Sequence, residues 1–133
     1  MSAQSNKQAL ITALAAWNAG DLARYADLYD SSAVIHGLAP SPLAKEQAIA
    51  IYAGMHQAFP GVQLETLALI AEGEQLAVHF RMSGVHRGDF ADMPATGRSF
   101  SIDGMTFLRF TDGKATDRHT IADMAGLLTQ LQG

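Results

Sequence analysis

The stretch SFSIDGMTFLRFTDGKATDRHTI (99–121) reads as two strands joined by a tight turn. Asp112-Gly113 is the turn pair, because both residue types tolerate the positive φ that a two-residue hairpin requires. Ser99 to Phe110 predicts one strand, broken near Gly104, and Ala115 to Ile121 predicts the last. Upstream, Val78, Phe80 and Met82 alternate with His79, Arg81 and Ser83, which is the period of a half-buried strand over Leu76–His86. Gly73 marks the turn before it, and Val62–Ala71 supplies a further strand. Residues 87–97, with Gly88, Pro94 and Gly97, form a longer connection. Downstream, Asp123 caps a short helix bearing Met124, Leu127, Leu128 and Leu131.

The first half has a different period. Leu10, Ala13, Leu14 and Trp17 share one side of a helix over 4–18 that ends near Gly20. Asp21 then caps a second helix with Leu22, Tyr25, Leu28 and Tyr29 on one side. Ala33-Val34-Ile35-His36 predicts a short strand. Ser41-Pro42 predicts the start of a third helix, whose stripe is Ala48, Ile51, Tyr52, Met55 and Phe59 and which Pro60-Gly61 ends. The expected order is α-α-β-α followed by four antiparallel strands, an α+β fold with a curved sheet wrapped over the helices. A curved sheet and three helices rarely fill the space between them, so a pocket is expected.

At 133 residues the chain has the length of one domain with one core, and 1–133 is read as a single domain. Lys plus Arg is 9 against 13 Asp plus Glu, a net charge of −4, which gives no electrostatic footing for nucleic acid. The apolar run Ala9–Trp17 is far short of the ~20 residues of a membrane span, and its one-sided spacing predicts a folded helix rather than a leader. There is no cysteine, which removes thiolate chemistry and fits a cytoplasmic protein. The five histidines show no HxH or HxxxH spacing, and no metal site is expected.

The C-terminal half carries a family pattern: SGVHRGDF (83–90), MPATGRSF (93–100), FLRFTDGK (107–114) and DMAGLLTQLQG (123–133). AAWNAGDLARYADLY (15–29) and AFPGVQLE (58–65) also fit it. The chain resembles the SnoaL-like polyketide cyclases, or ester cyclases, of the nuclear transport factor 2-like superfamily. The resemblance implies a cone-shaped α+β fold with a deep apolar cavity and a homodimer formed through the outer sheet face. It also implies ring closure by an intramolecular aldol reaction without metal or cofactor. An aspartate near the end of the last strand moves the proton in that chemistry, assisted by a histidine on the neighbouring strand.

Carried over residue by residue, the resemblance places Thr120 at the aspartate position and Thr106 at the histidine position. Trp17 falls on the aromatic position of the first helix, Ile51 on a third-helix cavity position, and His36 on a cavity position often held by Asn or His. Asp123 matches a second aspartate at the start of the last helix. A threonine hydroxyl cannot act as a base near neutral pH, whereas a tuned carboxylate can. Isomerisation or hydration next to a carbonyl is therefore expected ahead of aldol closure. The candidate base is His36, whose bland reading is a strand-end histidine satisfied by backbone. Arg118 shares a strand face with Thr120 and is read as an oxyanion or carboxylate clamp, or else as a rim arginine paired with a local acid. Asp123 is a reserve base or, on its simpler reading, the helix cap. Met55 and Leu108 join Trp17, Tyr52, Phe80 and Met82 as cavity wall or ordinary core around a small hydrophobic molecule. His86 is read as structural, holding the 94–97 loop, while His79 and His119 fall on the outer face. The alternatives to an enzyme are a non-catalytic hydrophobic-ligand binding protein and a dimeric interaction domain.

Overall fold

The computed structural model describes residues 2–133. Helices α1 (Ala3–Asn18) and α2 (Leu22–Ala26) precede strands β1 (Tyr29–His36) and β2 (Leu43–Ala44). Helix α3 (Lys45–Ala58) follows, then strands β3 (Gln63–Glu72), β4 (Gln75–Val85), β5 (Ser99–Thr111) and β6 (Lys114–Ala122), and helix α4 (Met124–Gln132). The strands form one six-stranded sheet in the order β2-β1-β6-β5-β4-β3. The architecture is the α+β fold of N-terminal helices against a curved open sheet, closed by a short C-terminal helix.

Capping chemistry sets the helix ends. Gly20 takes φ +78° after α1, and the Asp21 carboxylate accepts the Arg24 N–H at 3.1 Å to start α2. Asp123 does the same for α4, accepting the Gly126 N–H at 2.8 Å. Asp112 and Gly113 both have positive φ in the β5–β6 turn, as the hairpin requires.

Three elements differ from the sequence expectation. The third helix starts at Lys45 rather than at Ser41-Pro42, because Leu43 and Ala44 pair with Ile35 and Val34 as β2. The first strand begins at Tyr29, and it runs parallel to β6 instead of joining an all-antiparallel sheet. Strand β5 is unbroken at Gly104, which stays in register opposite Phe80. A Cβ at Gly104 would overlap the Phe80 ring, so the glycine is a packing requirement and not a strand breaker.

Burial alternates along β5. Phe100, Ile102, Gly104, Thr106, Leu108 and Phe110 face inward, and the residues between them are exposed. Leu127 and Leu131 of α4 are fully buried, and α4 packs against β5, where the Gln130 side chain bonds both the N–H and the C=O of Ser101. Burying each such side chain contributes roughly 1.5–3 kcal/mol. His86 is fully buried; its Nδ1 lies 3.0 Å from the Thr96 Oγ1, and its backbone bonds Gly97 and Arg98. It secures the 94–97 loop, as its sequence context suggested. No described helix is long and apolar enough to cross a membrane.

Candidate functional site

Between α1, α3 and the concave sheet face lies a cavity of about 590 Å³. Helix α1 lines it with Leu10, Leu14 and Trp17, which are four and three residues apart on one stripe. Helix α3 adds Ile51, Tyr52 and Met55. Strand β4 contributes Val78, Phe80 and Met82, and β5 contributes Thr106 and Leu108. Strand β6 contributes Arg118 and Thr120, and Phe90 closes in from the 87–97 connection. Ile51 and Met124 line the cavity and are also exposed, so it opens to solvent between α3 and the β6–α4 junction.

Two polar clusters interrupt the apolar wall. Thr106 and Thr120 face each other across the β5–β6 ladder, with their hydroxyls 2.9 Å apart. The second cluster spans more of the chain. Arg118 donates to the Tyr52 hydroxyl and its guanidinium lies 5.3 Å from the centre of that ring. The Tyr25 and Tyr29 hydroxyls are 2.8 Å apart. Burial pushes the Tyr29 and Tyr52 phenols above their ordinary values, and the Arg118 charge only partly opposes this. Both are therefore neutral and keep a proton to donate. Burial works against the Arg118 charge, and the Tyr52 hydroxyl oxygen beside it offsets part of that cost. Among the described residues, the ion pairs are His79–Asp103 and Arg81–Asp103, so Arg118 has no carboxylate partner.

Of the residues singled out in the sequence, Trp17, Ile51, Met55, Thr106, Leu108, Arg118 and Thr120 meet at this cavity. His36 does not. Ile35 is buried and pairs with Arg118, so alternation turns His36 to the outer face, where its ring stacks on His119 at 4.1 Å and 2°. The expectation that His36 faces the cavity is corrected on that ground; Gly37 and Leu38 hold the wall there. Asp123 is exposed and its carboxylate is engaged at the α4 N-terminus, although its neighbours Ala122 and Met124 reach the cavity. Among the described residues Arg118 has no acid partner, so it is not half of a rim ion pair.

The sequence reading missed the tyrosine hydroxyls and His56. Tyr25 and Tyr29 read only as an apolar helix face, whereas Tyr29 opens a strand. His56 packs 4.4 Å from Trp17, and burial lowers its pKa. Its position four residues after Tyr52 was the available signal. The Trp17 Nε1 and His56 Nε2 are buried without hydrogen-bond partners.

A family model for SnoaL-like polyketide cyclases matches residues 7–131. The chain belongs to that family. Within it, the chain is 34% identical over 68 residues to the aklanonic acid methyl ester cyclase DauD of Streptomyces sp. (strain C5). That match covers 51% of this chain and 42% of DauD, so the chain spans less than half the length of this SnoaL-like relative. Solved structures extend the likeness. AclR of Streptomyces galilaeus, described as a candidate hydroxylase, superposes with a TM-score of 0.92 at 27% identity over 98% of both chains. IdmH of Streptomyces antibioticus, a candidate polyketide cyclase, does so at 0.85 and 26% identity over 96% of this chain and 99% of its own.

Proposed function

We propose that this SnoaL-like chain is a small-molecule enzyme that binds a hydrophobic, polyketide-type carbonyl compound and moves a proton next to the carbonyl without a cofactor. The outcome is a cyclisation or isomerisation. The observation that carries this reading is the lone Arg118 guanidinium, bonded to Tyr52, in a mostly apolar cavity. An apolar ring system would pack on Trp17, Met55 and Leu108. Its carbonyl oxygen would take N–H from Arg118 and O–H from Tyr52. As the neighbouring C–H loses its proton, negative charge gathers on that oxygen, where a preorganised cation stabilises it most; removal of one such donor typically costs 10²–10³ in rate. Thr106 and Thr120 would orient a second oxygen of the substrate.

A binding protein is the competing reading, favoured by threonine at both family proton-handling positions. Oxygen insertion is a further possibility, since AclR is described as a candidate hydroxylase. One experiment separates them: incubation with a polycyclic β-keto ester in deuterated water, followed by mass spectrometry. Proton transfer gives hydrogen exchange at the carbon between the carbonyls faster than in protein-free solution, with that excess lower by about 10²–10³ in Arg118→Met and unchanged in His36→Ala and Asp123→Asn. Binding with exchange no faster than in protein-free solution favours the carrier. A product heavier by one oxygen favours hydroxylation. Full exchange by Arg118→Met overturns the proposed role of Arg118.

We further propose that a second copy covers the outer sheet face. Ile121 (82% exposed), Ile70 (68%) and Met105 (62%) form an apolar surface there, joined by the less exposed Phe107.

A further inference from the structure

We propose that the outer sheet face is an acid-sensitive seam: two copies of this chain assemble through it while His36 and His119 are neutral, and separate when that pair takes up protons. This rests on the assembly proposed above. The two imidazoles come from the adjacent parallel strands β1 and β6, where they are register partners. Their rings lie face to face, 4.1 Å apart and within 2° of parallel. Apolar side chains frame them. Phe107 is the cross-strand neighbour of His119 on β5, Ile121 follows His119 by two positions, and Val34 precedes His36 by two; all three are exposed. A cover over Ile121, Met105 and Phe107 therefore reaches the stack as well. The face also carries both signs of charge, Arg81 and Arg109 against Asp103 and Asp117. A two-fold pair can set opposite signs against each other, which favours a second copy over an acidic or a basic partner.

Among the described residues, neither ring has a carboxylate within ion-pair distance. The charged groups beside them are Asp117, two residues before His119, and its cross-strand partner Arg109, whose opposite signs offset each other. Asp30 on β1 is held by Ser32, and Asp123 by the α4 N-terminus. Strand β2 adds only Leu43 and Ala44. His79 differs, because Asp103 lies 3.4 Å away and gives its proton a partner. Two protonated rings this close repel, and a covering copy removes the water that screens them. The neutral stack is covered at little cost; the charged one is not. Separate chains thus bind protons that the pair refuses, so association is strongest above the ordinary imidazole value of about 6.5 and weakens as pH falls below it. Net charge alone predicts the opposite. The chain carries −4, and protons on its five histidines bring it toward zero, so repulsion between copies falls in acid. The direction of the pH dependence separates the two causes.

Sedimentation velocity over a concentration series, at fixed ionic strength and at pH 7.5 and 5.5, gives the dimer Kd. Expected is a Kd at pH 5.5 at least about tenfold that at pH 7.5, the effect of one refused proton on a group that otherwise titrates near 6.5. The double variant His36→Phe with His119→Phe keeps two flat rings and removes their titration, and its Kd should stay within about twofold between the two pH values. It retains every other titrating group, so a general effect of acid on the chain would still show in it. His36→Gln with His119→Gln gives the same result if the phenylalanine variant does not fold. His79→Gln should respond as the wild type does. A dimer whose Kd is flat or falls in acid overturns the switch and leaves the assembly standing. A double variant that keeps the wild-type rise does the same, and so does a rise that disappears in His79→Gln. A wild-type chain that is monomeric at pH 7.5, or a dimer that survives Phe107→Asp, overturns both.

Discussion

On the outer face of the sheet, Arg81 reaches Asp103 at 3.0 Å and His79 approaches the same carboxylate at 3.4 Å. On the concave face, on the strand next to Asp103, Arg118 meets tyrosine oxygens and, among the described residues, no acid. The outer cluster has water as its alternative partner, so the pair contributes little and signals nothing beyond a solvated surface. The inner cation is partly buried in an apolar cavity, where fewer waters reach it. Its neighbours are a tyrosine shell and the cavity, which makes it informative about function. The histidines divide the same way: His36, His79 and His119 lie on the outer face, and the cavity wall has none. Residue type alone therefore does not mark the site here; the partner each side chain lacks does.

Substitutions on the two faces test this contrast. The largest expected effect is on the concave side. Leu108 is fully buried between the sheet and the cavity, and Leu108→Ala should lower the unfolding free energy by about 2–5 kcal/mol in a urea titration. A loss under 1 kcal/mol would mean that the cavity collapses easily. Next is Gly104→Ala on the same strand. The added methyl would overlap the Phe80 ring, so stability should fall by about 1–3 kcal/mol and ligand affinity should change with it, since Phe80 lines the wall.

A smaller effect concerns pH. Burial beside Trp17 lowers the His56 pKa below its ordinary value of 6.5. The unfolded chain then binds a proton that the folded chain refuses. The His56 contribution to stability should therefore fall as pH drops through about 6.5 and level off below the folded-state pKa. Melting curves over this range should show a shallower decline for His56→Gln, and identical slopes would mean that the buried imidazole titrates normally. Smallest in stability is the outer face. Phe107→Asp should change the unfolding free energy of the isolated chain by only about 0.5 kcal/mol. Under the proposed assembly, it should convert a dimer to a monomer in sedimentation velocity. A wild-type chain that sediments as a monomer would sink that assembly.

Much of the fold was legible because its signals are local. Asp21 and Asp123 announce helix starts, Asp112-Gly113 announces the hairpin, and the alternation in 76–86 assigns faces on β4. The misreadings have equally specific causes. Gly104 reads as a break when only its own strand is considered; its reason is the Phe80 ring on β4. Ser41-Pro42 has helix-start chemistry, but Leu43 and Ala44 gain more from pairing with β1. Tyr29 follows the helical stripe of α2, yet opens β1, whose register shifts between Tyr29 and Val34. His36 reads as a cavity residue from the family match, but Ala33 and Ile35 turn inward and the two-residue period gives His36 the opposite phase.

The sequence by itself determined the α+β order, the caps and the shared face of Arg118 and Thr120, because each rests on signals a few positions apart, and it determined the family through motifs spread along the chain. Only the tertiary structure decided what Arg118 meets. Tyr52 lies 66 residues from it in the chain, and Tyr25 and Tyr29 come from another helix and strand. No local period brings those oxygens together. The packing of α3 over the sheet and the pairing of β1 with β6 do, and they leave the charge among tyrosines at the cavity wall.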